Sequence, residues 1–95
     1  MTRFAWLVLS LGVTAPLLAG SLMSVEREQE LRNLLIQDCG SCHGMTFKGG
    51  LGPPLTPEAL QEKPAESLTL TILNGRPGTP MPPWRQFVSE AEATW

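Results

Sequence analysis

Cys39-Gly40-Ser41-Cys42-His43 decides how the rest of this chain is read. It holds both cysteines and the single histidine of the sequence. A disulfide between residues so close together constrains almost nothing of the unfolded chain, so a structural staple is a poor reading. A thioredoxin-like redox pair expects a βαβ setting, and none is legible around it. A zinc site needs four ligands, and Cys39, Cys42 and His43 are the only strong nitrogen or sulfur donors present. What remains is C-x-x-C-H, the pattern of covalent haem attachment. Two thiols on one turn of chain can reach the two vinyl groups on one porphyrin edge, and the next residue then points its imidazole at the iron. Gly40 and Ser41 are small enough to let the backbone lie close to the macrocycle. The pattern therefore predicts one covalently attached haem c per chain, held through Cys39 and Cys42, with His43 as an axial ligand.

The opposite axial position asks for a second donor, and thioether sulfur raises the reduction potential by favouring ferrous iron. Met81 is the expected ligand, set in Gly78-Thr79-Pro80-Met81-Pro82-Pro83, where the prolines stiffen the loop that presents the sulfur. Met45 follows His43 too closely to reach the far face, and Met23 precedes the first helix. A single histidine excludes bis-histidine ligation within one chain. Histidine ligands normally give their second ring N–H to a backbone carbonyl. In Gly52-Pro53-Pro54-Leu55 the Pro53 carbonyl is the expected acceptor for His43, with Leu55 packing on the ring. Trp84, Arg76, Arg85 and Lys48 are the candidates for holding the haem propionates, Trp84 first, against the ordinary reading of a solvated surface for any one of them. Leu68 and Ile72 are expected to cover the methionine side as core residues.

The opening residues have the layout of an export signal: Arg3, then an apolar run from Phe4 to Leu11 that continues through Val13, Leu17, Leu18 and Ala19. Ser10, Gly12, Thr14 and Pro16 interrupt it too often for a membrane span of about 20 apolar residues. Residues 1–20 are thus expected to be a signal peptide cut between about 19 and 24, leaving 21–95 as one periplasmic domain with no membrane attachment. From Ser21 onward six basic side chains face nine acids, spread rather than blocked, which excludes a nucleic-acid footprint. So small a domain usually needs a cofactor, a metal or a partner to be stable.

Ser24 can cap a helix with Glu26 and Glu28 in its first turn and Leu31, Leu34 and Leu35 on one face. It is expected to run to about Cys39 and to break at Gly40, Ser41 and Gly44. Glycine and proline from Gly44 to Pro57 mark a loop passing close to something. Thr56-Pro57-Glu58 starts a short helix reaching about Glu62. Leu68, Leu70 and Ile72 alternate as in a strand, but no second strand exists to pair with, and Pro64 and Asn74-Gly75 bracket a helix. Ser89 and Glu92 form a capping box for a last helix that is interrupted at Trp95, so the sequence reads as missing the end of that helix. Leu31, Leu34 and Leu35 are then expected to lack their partner.

These features together resemble the class I cytochrome c fold: all-α, three to four short helices wrapped around one covalent haem. More narrowly, 38–45, 48–55 and 76–84 resemble the small monohaem cytochromes found with the cytochrome cd-type nitrite reductases of denitrifying bacteria. The resemblance implies a monomeric electron-transfer protein, not an enzyme, that donates electrons to nitrite reductase. It equally implies an electron acceptor or assembly factor in maturation of that enzyme's d-type haem, since similar domains begin larger haem d maturation proteins.

Overall fold

A computed structural model of the chain describes residues 9–14 and 23–95. The expected signal peptide falls on residues 1–8 and 15–22, outside the described residues, for most of its length and for most of its possible cut sites. Among the described residues all regular structure is helical, and no helix is long and apolar enough to cross a membrane.

Helix α1 spans Val25–Leu34. The Ser24 hydroxyl accepts from the Arg27 amide at 3.1 Å, which occupies one of the free donors at the helix start. The expectation that this helix ends near Cys39 is wrong. The chain continues through a π-helical turn over Leu35–Cys39 and a final α-helical turn, α2, over Gly40–His43. The π turn is closed by the Gly40 amide donating to the Leu35 carbonyl, five residues back. Gly40 does not stop the helix because a helical glycine costs only about 1 kcal/mol, and the returning loop caps the far end. The Gly52 amide donates to the Cys42 carbonyl at 2.7 Å and the Gly49 amide to the His43 carbonyl at 2.8 Å. Gly44, at φ 95°, makes the actual break.

Helix α3 spans Pro57–Leu60, capped by Thr56 Oγ1 on the Ala59 amide at 3.3 Å. It stops short of Glu62, where the Lys63 amide closes a turn onto the Leu60 carbonyl at 3.0 Å. Helix α4 spans Ala65–Asn74 and ends at Gly75, φ 67°. Its buried face is Thr69 and Leu73, with Leu68 and Ile72 half-buried and Leu70 exposed, so the alternating leucines do not share one side. Thr69 tolerates burial because its hydroxyl donates to the Ala65 carbonyl at 3.0 Å. Helix α5 spans Glu90–Thr94 and begins with the complete capping box: the Ser89 hydroxyl accepts from the Glu92 amide at 3.1 Å, and the Ser89 amide donates to the Glu92 carboxylate at 2.8 Å.

The core is Leu31 of α1, Leu73 of α4 and Val88 of the turn before α5, with Met23, Leu34, Ile72, Trp84 and Ala93 packed around them. Leu31 and Leu34 therefore do have a partner, contrary to expectation, and only Leu35 is left exposed. The Arg27 guanidinium holds α5 against α1. It donates to both oxygens of Glu92 and, through Nη2, to the Phe87 carbonyl at 2.8 Å, while its Nη1 meets Glu30 at 2.9 Å. The Arg32 guanidinium lies 5.2 Å from the centroid of the ring of Trp95, the residue that follows α5, a second, cation–π contact to α1.

Candidate functional site

The C-terminal end of the α1–α2 helix carries the three expected site residues, Cys39, Cys42 and His43. Cys39 and Cys42 are free thiols, Cys39 half-buried and Cys42 exposed. Burial first, and then the neighbouring Asp38 carboxylate, push the Cys39 thiol up from its ordinary value. Ser41 does not compete for space, because its hydroxyl turns back to donate to the Asp38 carbonyl at 2.7 Å.

His43 Nδ1 lies 2.7 Å from the Pro53 carbonyl oxygen. A carbonyl can only accept, so Nδ1 carries the proton and Nε2 keeps its lone pair for a metal. The loop that brings Pro53 into place is pinned to the helix by its own backbone. Besides the bonds to Cys42 and His43, the Phe47 amide donates to the Gly44 carbonyl at 2.9 Å and the Leu55 amide to the Phe47 carbonyl at 2.8 Å. Gly52 is a residue whose role the sequence reading did not assign. A Cβ there would lie 2.8 Å from His43 Cε1 and Nδ1, so only glycine leaves room for the ring at this distance from Pro53. Its position directly before Pro53 is the signal that could have singled it out.

Met81 sits half-buried on the second loop, which is fastened to the end of α4. The Arg76 amide donates to the Met81 carbonyl at 3.2 Å, the Trp84 amide to the Ile72 carbonyl at 3.0 Å, and the Thr79 hydroxyl to the Arg76 carbonyl at 2.6 Å. Gly75 permits this closeness: a Cβ on it would fall 2.7 Å from the Met81 carbonyl oxygen. Trp84 packs against the core and its ring centroid lies 5.8 Å from that of Phe87. Arg85 donates to the Asn74 side chain at 2.8 Å. Lys48 and Arg76 are exposed, and Leu55 is half-buried.

Two reduced thiols, an imidazole with one nitrogen fixed and the other free, and a glycine cradle beside it form a donor set that fits haem c. Residues 26–95 match the family described as cytochrome C oxidase, cbb3-type, subunit III, and the chain belongs to this family of c-type cytochromes. Within it, the chain is 56% identical to cytochrome c55X of Pseudomonas aeruginosa over 95% of its own length and 77% of that protein. It is 47% identical to cytochrome c55X of Paracoccus denitrificans, covering 100% of this chain and 89% of that one. A solved structure, the c-type cytochrome NirC, superposes with a TM-score of 0.75 at 59% identity, over 77% of this chain and 86% of that chain. A larger enzyme also matches: dihydro-heme d1 dehydrogenase of Pseudomonas aeruginosa is 38% identical over 87% of this chain but only 17% of that protein. The all-α class I cytochrome c fold, the haem c cofactor and the place among the cytochromes c55X are thus established for this chain.

Proposed function

We propose that the chain is a periplasmic single-haem electron carrier, that it serves as electron donor to a cytochrome cd-type nitrite reductase, and that it is not itself an enzyme. When bound, haem c supplies a one-electron ferric/ferrous couple. The observation that carries the reading is the His43–Pro53 hydrogen bond, which fixes one imidazole nitrogen and frees the other beside two unpaired thiols. Cys39 and Cys42 would hold the haem through thioethers, His43 and Met81 would ligate its iron, Leu55 would pack beside the imidazole and Trp84 would steady the propionates. With His43 and Met81 both on the iron there would be no position for a substrate, so these residues would hold a redox couple and not a catalytic centre. The work of the chain's own residues is to keep both donors in place in either oxidation state, which lowers the rearrangement that accompanies electron transfer. Residues 1–20 act as the export signal and residues 21–95 form the working, monomeric domain.

The absorption spectrum of the reduced holoprotein tests this. A six-coordinate, low-spin spectrum that carbon monoxide does not perturb is expected, and Met81→Ala should convert it to a form that binds carbon monoxide within seconds. A five-coordinate wild-type spectrum, or one that Met81→Ala leaves untouched, defeats the proposal.

A second reading has its own support in the match to dihydro-heme d1 dehydrogenase. There the chain accepts electrons, or assists assembly, during maturation of the reductase's d-type haem. Deleting the gene separates the two: a reductase made without its d-type haem identifies the maturation role, and an intact but electron-starved reductase identifies the donor.

A further inference from the structure

Phe47 is the one residue other than glycine, among those described, whose φ is positive, at 58°. A bulky side chain in this left-handed region crowds its own backbone, and a glycine there would not. The other positive φ values of the same loop belong to Gly44 and Gly49. The conformation of Phe47 is imposed from both sides. Its amide donates to the Gly44 carbonyl at 2.9 Å and its carbonyl accepts from the Leu55 amide at 2.8 Å, while the Gly49 amide reaches the His43 carbonyl at 2.8 Å. The turn that brings Pro53 back to His43 therefore runs through a strained phenylalanine. Such strain persists where the surroundings over-determine it, and it clusters at ligand sites.

The use of the ring is read from its burial. Met45 and Leu51, the apolar side chains before and after Phe47 in this loop, are exposed, whereas Phe47 and Leu55, joined by their backbone bond, are half-buried. Phe47 does not owe this to the core. The side chains packed on Leu31, Leu73 and Val88 come from other segments, and the aromatic pair among the described residues is Trp84 with Phe87. A phenyl ring is thus drawn in from solvent, without reaching the core, on the loop that holds His43 Nδ1.

We infer that Phe47 is a haem-contacting residue, whose ring covers the attached haem on the His43 side, keeps water from it and so raises its reduction potential. Ferric haem carries one more positive charge than ferrous haem, and water stabilises the more charged form, so hydrocarbon over the group favours ferrous iron. The covering ring also accounts for a phenylalanine at a backbone position that suits glycine. The inference rests on the haem held through Cys39 and Cys42, and on neither the ligand opposite His43 nor the protein that takes the electron.

Substitutions in the holoprotein separate the ring from the strain. Phe47→Gly removes both, Phe47→Asn removes the ring and tolerates the left-handed backbone, and Phe47→Leu keeps the strain and an apolar cover. Each is equilibrated with the hexacyanoferrate couple, in which ferrous haem gives one electron to hexacyanoferrate(III), forming ferric haem and hexacyanoferrate(II). In Phe47→Gly and Phe47→Asn the equilibrium constant should move roughly threefold or more towards ferric haem, and Phe47→Leu should stay closer to the wild type than Phe47→Asn does. Were the ring idle, Phe47→Gly would raise the melting temperature by relieving strain and leave the equilibrium where it was. That result overturns the inference, as does an equilibrium that shifts more in Phe47→Leu than in Phe47→Asn.

A second measurement needs no variant to fold well. In proton NMR of the ferrous wild-type holoprotein, the Phe47 ring should give nuclear Overhauser contacts to protons of the haem periphery; a fully assigned Phe47 ring with no such contact overturns the inference. A five-coordinate wild-type spectrum would defeat the carrier reading and leave both measurements valid, and failure of either measurement would leave the carrier reading intact.

Discussion

Gly52 and His43 show how much of this site depends on the absence of one methyl group. The ring of His43 and the Gly52 backbone are so close that a Cβ would sit 2.8 Å from two ring atoms, well inside contact distance. Gly52→Ala must move either the ring or the loop, and the loop is held by its bond to the Cys42 carbonyl. The ring is the freer of the two, so the 2.7 Å hydrogen bond to Pro53 should lengthen or break. The imidazole then loses the partner that fixes its tautomer and strengthens it as a donor, a change that typically costs 10–100-fold in metal affinity, with about that magnitude expected here. The measurable outcome is a high-spin fraction in the ferric spectrum of Gly52→Ala and a lowered melting temperature. An unaltered spectrum would mean that the loop yields instead.

Among the elements, α5 is a helix of only five residues, and its attachment titrates. Arg27 and the Ser89 backbone amide both favour the charged form of Glu92, and they hold its carboxyl at about 2, down from an ordinary 4.5. A depressed folded-state value means that the contribution is fully present above pH 4.5 and is lost as pH falls towards 2. The wild type should therefore lose melting temperature faster than Glu92→Gln across that window, and parallel curves would show that the contact contributes nothing measurable. The helix starts were legible because caps are local chemistry: Ser24, Thr56-Pro57 and Ser89 with Glu92 each satisfy donors within three residues. The π turn over Leu35–Cys39 was not, since one extra residue in a turn leaves no mark in composition. The passage of the helix through Gly40 was equally hidden, because the bonds that cap it come from a loop several residues further on. Leu73, the most buried side chain, escaped notice for a related reason: the alternation of Leu68, Leu70 and Ile72 drew attention away from the helical face shared by Thr69 and Leu73. In the site, C-x-x-C-H and the Pro53 acceptor were readable from spacing and donor chemistry, whereas the clearance at Gly52 exists only in three dimensions.

Taken as a whole molecule, the chain gathers a small apolar core and a large investment in loops around one cofactor site. Leu31, Leu73 and Val88 are its buried hydrophobic residues among those described, set at the junction of α1, α4 and the turn before α5. Three side chains contribute about 1.5–3 kcal/mol each on burial, and ordering each residue of the backbone costs about 1–2 kcal/mol. The loop from Gly44 to Thr56 adds no residue to that core and the one from Gly75 to Ser89 adds only Val88, with Trp84 packed against it; the backbones of both are bonded to the helix ends that carry His43 and support Met81. The fold is therefore expected to depend on the covalent cofactor that both loops serve. Replacing both attachment residues, Cys39→Ser with Cys42→Ser, removes the thioethers and leaves the helical sequences, their caps and the Arg27 contacts unchanged. That variant should keep part of its helical circular dichroism, lose a cooperative thermal transition, and bind a dye specific for exposed apolar surface. A sharp transition at the wild-type temperature would show that the core and the Arg27 contacts suffice alone, and that the haem is cargo of a prefolded domain and not part of its structure.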